Sequence, residues 1–155
     1  MRIFLAGLLC ILGLATSLQA ESPRIIASFG QQMTGSAPEA GLRYLAPCCG
    51  RIQPVLGASF GSNGSAWLGA GAAITWQPGL SGLFLRASSM AGLHRRGTGP
   101  ALGGPVEFRS ALDLGFRRQS GTEIGIGVDH RSNAGIYKSN PGLNTGYLFY
   151  SVALK

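Results

Sequence analysis

The sequence predicts an all-β chain that closes into an eight-stranded antiparallel transmembrane β-barrel of the outer membrane. Three observations carry that expectation. The first twenty residues read as an export signal: Arg2 gives a charged start, Ile3–Ala15 an apolar run too short to span a bilayer comfortably, and Leu18-Gln19-Ala20 a small-residue cleavage site. Beyond residue 20 the chain stays apolar yet contains no stretch of 18 apolar residues, so a transmembrane helix is not available to satisfy its backbone in lipid. The later segments instead alternate apolar and polar residues with a period of two, the pattern of a strand with one face on lipid and one on a lumen.

Composition narrows the class further. The 155 residues fit one domain, and 25 glycines, 45% hydrophobic and only 12% charged residues depart from an ordinary cytosolic enzyme. A formal charge of +7 and a pI near 10.0 would suggest nucleic acid, but a mean hydropathy of +0.21 couples the basic residues to apolar ones and points to a membrane instead. Cys10 lies inside the leader behind Gly7-Leu8-Leu9, where a lipoprotein signal wants a small residue, so it does not read as a lipidation site. The expected organisation is residues 1–20 as signal peptide and 21–155 as the barrel. Loss of Arg2 with the leader leaves a net charge of about +6.

The strands follow in order. Segments 24–32 and 41–47 are short candidates. In 51–60, Ile52, Leu56, Ala58 and Phe60 face outward, and Pro54 weakens the pattern. Segment 65–76 sets Ala66, Leu68, Ala70, Ala72, Ile74 and Trp76 against Ser65, Trp67, Gly69, Gly71, Ala73 and Thr75. Glycines on that second face leave room in a narrow lumen for larger neighbours. In 83–94, Leu83, Leu85, Ala87, Ala91 and Leu93 alternate with Phe84, Arg86, Ser88, Met90, Gly92 and His94. Segment 106–117 separates Val106, Phe108, Leu112, Leu114 and Phe116 from Glu107, Arg109, Asp113 and Arg117. Segments 122–132 and 145–154 complete the set. Eight strands of about ten residues use about 80 residues and leave about 55 for connections, which suits a minimal barrel filled by side chains. A periplasmic β-sandwich is the soluble alternative.

Cys48 and Cys49 are adjacent and read as two inert thiols in a turn, with a vicinal or intermolecular disulfide as the alternative. Two histidines and no Cys-x-x-Cys or His-x-x-x-His spacing leave no ligand set for zinc, so no metal and no cofactor are implied.

The parity argument also singles out chemistry. Extending Ile124, Ile126 and Val128 along their strand puts His130 and Ser132 on the lipid-facing side, and counting back from Leu148 and Tyr150 gives Asn144 the same face. Polar groups there are costly. A histidine and a serine at i and i+2 bring imidazole and hydroxyl into reach, the histidine able to take the hydroxyl proton during attack. The competing reading is a rim pair with no chemistry. His94 has no nucleophile at comparable spacing and reads as a lumen or rim residue.

His130-Arg131-Ser132-Asn133-Ala134-Gly135, then Asn140-Pro141-Gly142-Leu143-Asn144 and the closing Leu148-Phe149-Tyr150, resemble the lipid A 3-O-deacylase (PagL-type) family of outer-membrane acyl hydrolases. The resemblance is strong over about 106–155 and architectural before that. It implies an eight-stranded outer-membrane barrel with its active site on the outer surface. By the same resemblance, Ser132 is the nucleophile and His130 the general base. Asn140 and the backbone around Ala134 and Gly135 match the oxyanion region, while Asn133 reads as a structural residue of the turn, with a catalytic role as the alternative. One position departs: the family's third member is a glutamate, and Asn144 stands there. Its amide can fix the imidazole tautomer but supplies no negative charge.

The function this implies is a serine esterase removing the ester-linked 3-hydroxyacyl chain of lipid A, with lipopolysaccharide and outer-membrane lipid as partners and no nucleic acid. The alternative is a catalytically impaired or structural barrel, because of Asn144. Arg131 and Lys138 are candidate contacts for the phosphates of such a glycolipid, with solvated rim charges as the alternative, and Arg95 and Arg96 fit a phosphate contact no better than a solvated loop. Monomer and homodimer both stay open.

Overall fold

A computed structural model describes residues 21–47, 51–79 and 81–155. The signal-peptide expectation and the Cys48–Cys49 reading lie outside those residues. The chain forms eight strands: β1 (Arg24–Gln32), β2 (Pro38–Leu45), β3 (Ile52–Gly61), β4 (Ala66–Trp76), β5 (Leu83–Arg95), β6 (Val106–Arg117), β7 (Glu123–Ser132) and β8 (Leu143–Ala153). Each pairs antiparallel with the next, and β1 pairs with β8, which closes the barrel and leaves no free edge. The alternation decides which way each residue points. Phe108, Leu112 and Leu114 face outward, while Glu107, Arg109 and Asp113 are buried in the lumen.

Most strand bounds fall within one or two residues of the sequence expectation, and two strand starts differ from it by more than one residue. β2 begins at Pro38 rather than 41, because a proline can open a strand where no ladder donor is needed and because Glu39 points inward to Arg109 and Arg131. β8 begins at Leu143 rather than 145, because Leu143 and Asn144 pair with Arg131 and His130. Pro54 does not interrupt β3. Its carbonyl accepts from Ala46 N at 2.9 Å, so its nitrogen faces the frayed end of β2, where the ladder has stopped at Leu45↔Val55.

The lumen is filled, not open. Trp67, Phe84, Met90, Tyr147 and Phe149 form its apolar part, and the Trp67 indole lies where side chains on Gly69 and Gly92 would have to go. Charged side chains fill the rest in layers. Glu123 takes Arg24 and Arg86, Asp113 takes Arg43 and the Tyr147 hydroxyl, and Glu39 and Asp129 take Arg109 and Arg131. These ties cross from β2 to β6 and β7, so they fix the register of strands distant in sequence. Removing one partner would strand a buried charge, which typically costs about 3–5 kcal/mol.

The start of β1, the end of β8 and the strand ends joined between β2 and β3, β4 and β5, and β6 and β7 lie at one end. The two longest connections, 96–105 and 133–142, lie at the other, together with His130, Ser132 and Asn144.

Candidate active site on the outer wall

On β7 the outward row runs Ile124, Ile126, Val128, His130, Ser132. On β8 it runs Asn144, Gly146, Leu148, Tyr150. The register sets His130 directly opposite Asn144, and His130 Nδ1 lies 2.8 Å from Asn144 Oδ1. An amide oxygen can only accept, so with this orientation the proton sits on Nδ1 and the Nε2 lone pair is left free. Gly142 closes one side of the ring. Its φ is +70°, and a Cβ there would stand 2.7 Å from His130 Cε1 and 3.4 Å from Nε2. Asn144 is itself anchored, since its carbonyl accepts from Met33 N at 2.8 Å.

Ser132 ends β7, opposite Phe108 of β6, on the same face as His130. Among the described residues its hydroxyl makes no hydrogen bond, to His130 or to anything else, so the hydroxyl is unengaged in the resting arrangement. Apo catalytic contacts are often long and tighten only with substrate.

The turn after Ser132 is held by Asn133, which is fully buried. Its Nδ2 donates to the carbonyls of Leu102 and Ser139, both at 2.7 Å, its Oδ1 accepts from Gly135 N at 2.9 Å, and its own N–H donates to Asn140 Oδ1 at 3.0 Å. Ile136 N donates back to Asn133 O at 3.0 Å, with Ala134 at φ 51° and Gly135 at φ 80°. That is a type I′ turn, and Ala134 holds it against the usual penalty for a Cβ in the left-handed region. The consequence is a division of donors. Gly135 N–H is committed to Asn133, while Ala134 N–H and Asn140 Nδ2 have no partner among the described residues.

Two features were not readable from the sequence. The 96–105 connection buttresses the 133–136 turn through the Leu102 carbonyl and through Gly104, against which the Tyr137 ring packs as its hydroxyl accepts from Val106 N at 3.3 Å. Gly142 as the wall of the imidazole is the other. The expectation that Arg131 faces a phosphate is overturned. Arg131 has the opposite parity to His130 and Ser132, is buried in the lumen, and pairs with Glu39. Lys138, Arg95 and Arg96 are exposed on the outer rim, and His94 is half-buried at the end of β5.

Beneath Asn144 the absent side chain of Gly146 opens a trench of about 450 Å³ bordered by Phe29, Ile126 and Leu148, all apolar and exposed.

The crystal structure of the outer membrane enzyme PagL matches with a TM-score of 0.72 at 18% identity, over 84% of this chain and 99% of that one. A structure from the de novo design of transmembrane β-barrels matches at a TM-score of 0.59 and 8% identity, over 86% and 98%. A de novo designed protein solved by solution NMR matches at 0.56 and 12%, over 90% and 99%. No curated protein matches the chain by sequence. The family model described as lipid A 3-O-deacylase (PagL) matches residues 34–153, more than three quarters of the chain, with His130, Ser132 and Asn144 among them. This chain belongs to the lipid A 3-O-deacylase (PagL) family.

Proposed function

We propose that the chain is an outer-membrane serine esterase that hydrolyses the ester-linked 3-hydroxyacyl chain at the 3-position of lipid A. Residues 1–20 direct its export, the end carrying both barrel termini faces the periplasm, and the longer connections face outward. The single observation that carries the reading is the Nδ1–Oδ1 hydrogen bond between His130 and Asn144 on a lipid-facing wall, one strand step from Ser132. Polar groups on such a wall cost free energy and call for a reason.

In the proposed reaction Nε2 of His130 takes the Ser132 proton as Oγ attacks the ester carbonyl, and negative charge develops on the carbonyl oxygen. Ala134 N–H and Asn140 Nδ2, the two unengaged donors, are the groups suited to receive it. Collapse returns the proton to the departing sugar oxygen and leaves an acyl group on Ser132. Water, deprotonated by the same imidazole, then releases a 3-hydroxy fatty acid. The trench below Asn144 suits the acyl chain, and the exposed Arg95, Arg96 and Lys138 suit phosphates at the headgroup level.

Mass spectrometry of lipid A from cells with and without the protein tests this. The expected result is a species lighter by one 3-hydroxyacyl chain only when the protein is present. Unchanged lipid A despite a folded barrel in the outer membrane would favour the impaired-barrel reading that Asn144 raises. A smaller effect is expected at Gly142. Gly142→Ala places a Cβ against the imidazole in a left-handed backbone, a strain of about 1–3 kcal/mol, and should lower kcat about tenfold with KM little changed. Steady-state kinetics on lipid A in detergent would check it, and an unchanged kcat would free His130 from that wall.

A further inference from the structure

The six acidic residues of the chain are all spent inside. Glu39, Glu107, Asp113, Glu123 and Asp129 are buried in the lumen, and Glu21 pairs with Arg117 at its mouth. The remaining positive charge of the described residues lies on the two rims. At the end carrying the barrel termini the exposed cations are Arg51, Arg118 and Lys155. Arg118 differs from an ordinary surface arginine in its position. The hairpin bonds Arg118 N→Thr122 O and Gly121 N→Arg118 O carry the ladder past β6, so Arg118 continues the outward row Leu112, Leu114, Phe116. Its guanidinium has no partner among the described residues.

On that row, just above Arg118, lies an open groove of about 520 Å³. Its floor is the backbone of the Gly115–Gly125 pair, and its walls are Leu83, Leu114, Phe116 and Ile124. Apolar walls suit an acyl chain, and an unpaired arginine at the rim suits a phosphate, which it can bind in bidentate fashion.

We propose that this groove and Arg118 form a binding site for one anionic glycerophospholipid, its acyl chain in the groove and its phosphate on the guanidinium. The inference rests on the membrane-spanning fold and not on the esterase reading. An anionic headgroup is favoured over a zwitterionic one because Glu21, the one side-chain carboxylate at that rim that is not buried among the described residues, is already taken at both oxygens by Arg117 and so is not free to receive an ammonium. A second copy of the chain is disfavoured, because a two-fold contact through this groove would bring the two Arg118 side chains together.

The test is native mass spectrometry of the detergent-released barrel after incubation with equal amounts of phosphatidylglycerol and phosphatidylcholine. The wild-type chain should retain phosphatidylglycerol about fivefold over phosphatidylcholine, the ratio expected from one arginine beside a net-negative headgroup rather than one whose phosphate is neutralised by its own ammonium. Arg118→Gln should bring the ratio to parity, Arg118→Lys should keep part of it, and Leu114→Trp should lower retention of both lipids. Equal retention by the wild type, an undiminished preference in Arg118→Gln, or a protein dimer in place of a lipid adduct would each overturn the site. Arg118 lies in an exposed turn, so its variants decide the matter even if Leu114→Trp fails to assemble.

Discussion

Ser132→Ala is expected to abolish deacylation of lipid A while leaving the barrel intact. The hydroxyl makes no hydrogen bond among the described residues, faces away from the lumen network, and sits at the end of β7, so its removal should change stability by no more than about 0.5 kcal/mol. The chemical cost is of a different order. Removing a hydroxyl nucleophile from a triad that acts as a unit lowers kcat about 10⁶-fold, and removing the base instead costs about as much. His130→Ala should therefore fall to the same residual rate as Ser132→Ala, and the double variant should fall no further. Purified variants can be compared by mass spectrometry of the released 3-hydroxy fatty acid, with the heat-dependent shift in electrophoretic mobility as the check that each barrel has closed. Deacylation by Ser132→Ala at the wild-type rate would move the nucleophile elsewhere on the wall.

How far the sequence reached depended on whether a feature was periodic or assembled across loops. Strand parity was legible because lipid on one side and a packed lumen on the other enforce a period of two along β5 to β8, and the same parity brought His130 and Asn144 to one face. Arg131 shows how the argument goes wrong when proximity in sequence replaces parity: the residue between His130 and Ser132 on a strand points to the opposite side, into the lumen. The start of β2 was illegible because Glu39 looks like a loop charge until its partners Arg109 and Arg131, 70 and 92 residues away, are beside it. Asn133 reads in the sequence as a structural residue of the turn, but its grip on the Leu102 carbonyl is not legible there, since nothing local links the two long connections. Gly142 reads as a plain turn glycine until the imidazole is seen against it.

Position 144 is expected to separate orientation from charge. Asn144→Ala removes the acceptor for His130 Nδ1 but keeps the backbone carbonyl that holds Met33, so the ladder between β7 and β8 should survive. The imidazole then loses the contact that fixes its proton on Nδ1. A wrong or mixed tautomer has no free Nε2 lone pair to take the serine proton, and losses of about 10²–10⁴ in kcat are the scale for such a change. Asn144→Glu should act in the opposite direction for two separate reasons. A carboxylate is an acceptor only, whereas the native amide can rotate to offer Nδ2 and reverse the tautomer, so glutamate holds the productive form more firmly. It also places a negative charge beside the imidazolium that forms as the serine is deprotonated, which the amide cannot do. Single-turnover deacylation of lipid A by the three chains gives the ordering directly, glutamate above asparagine above alanine. If alanine matches the native rate, His130 needs no partner on β8, and the hydrogen bond at 2.8 Å is structural. If glutamate matches asparagine while alanine is slow, orientation alone is at work, and the loss of the family's carboxylate has cost this chain nothing in catalysis.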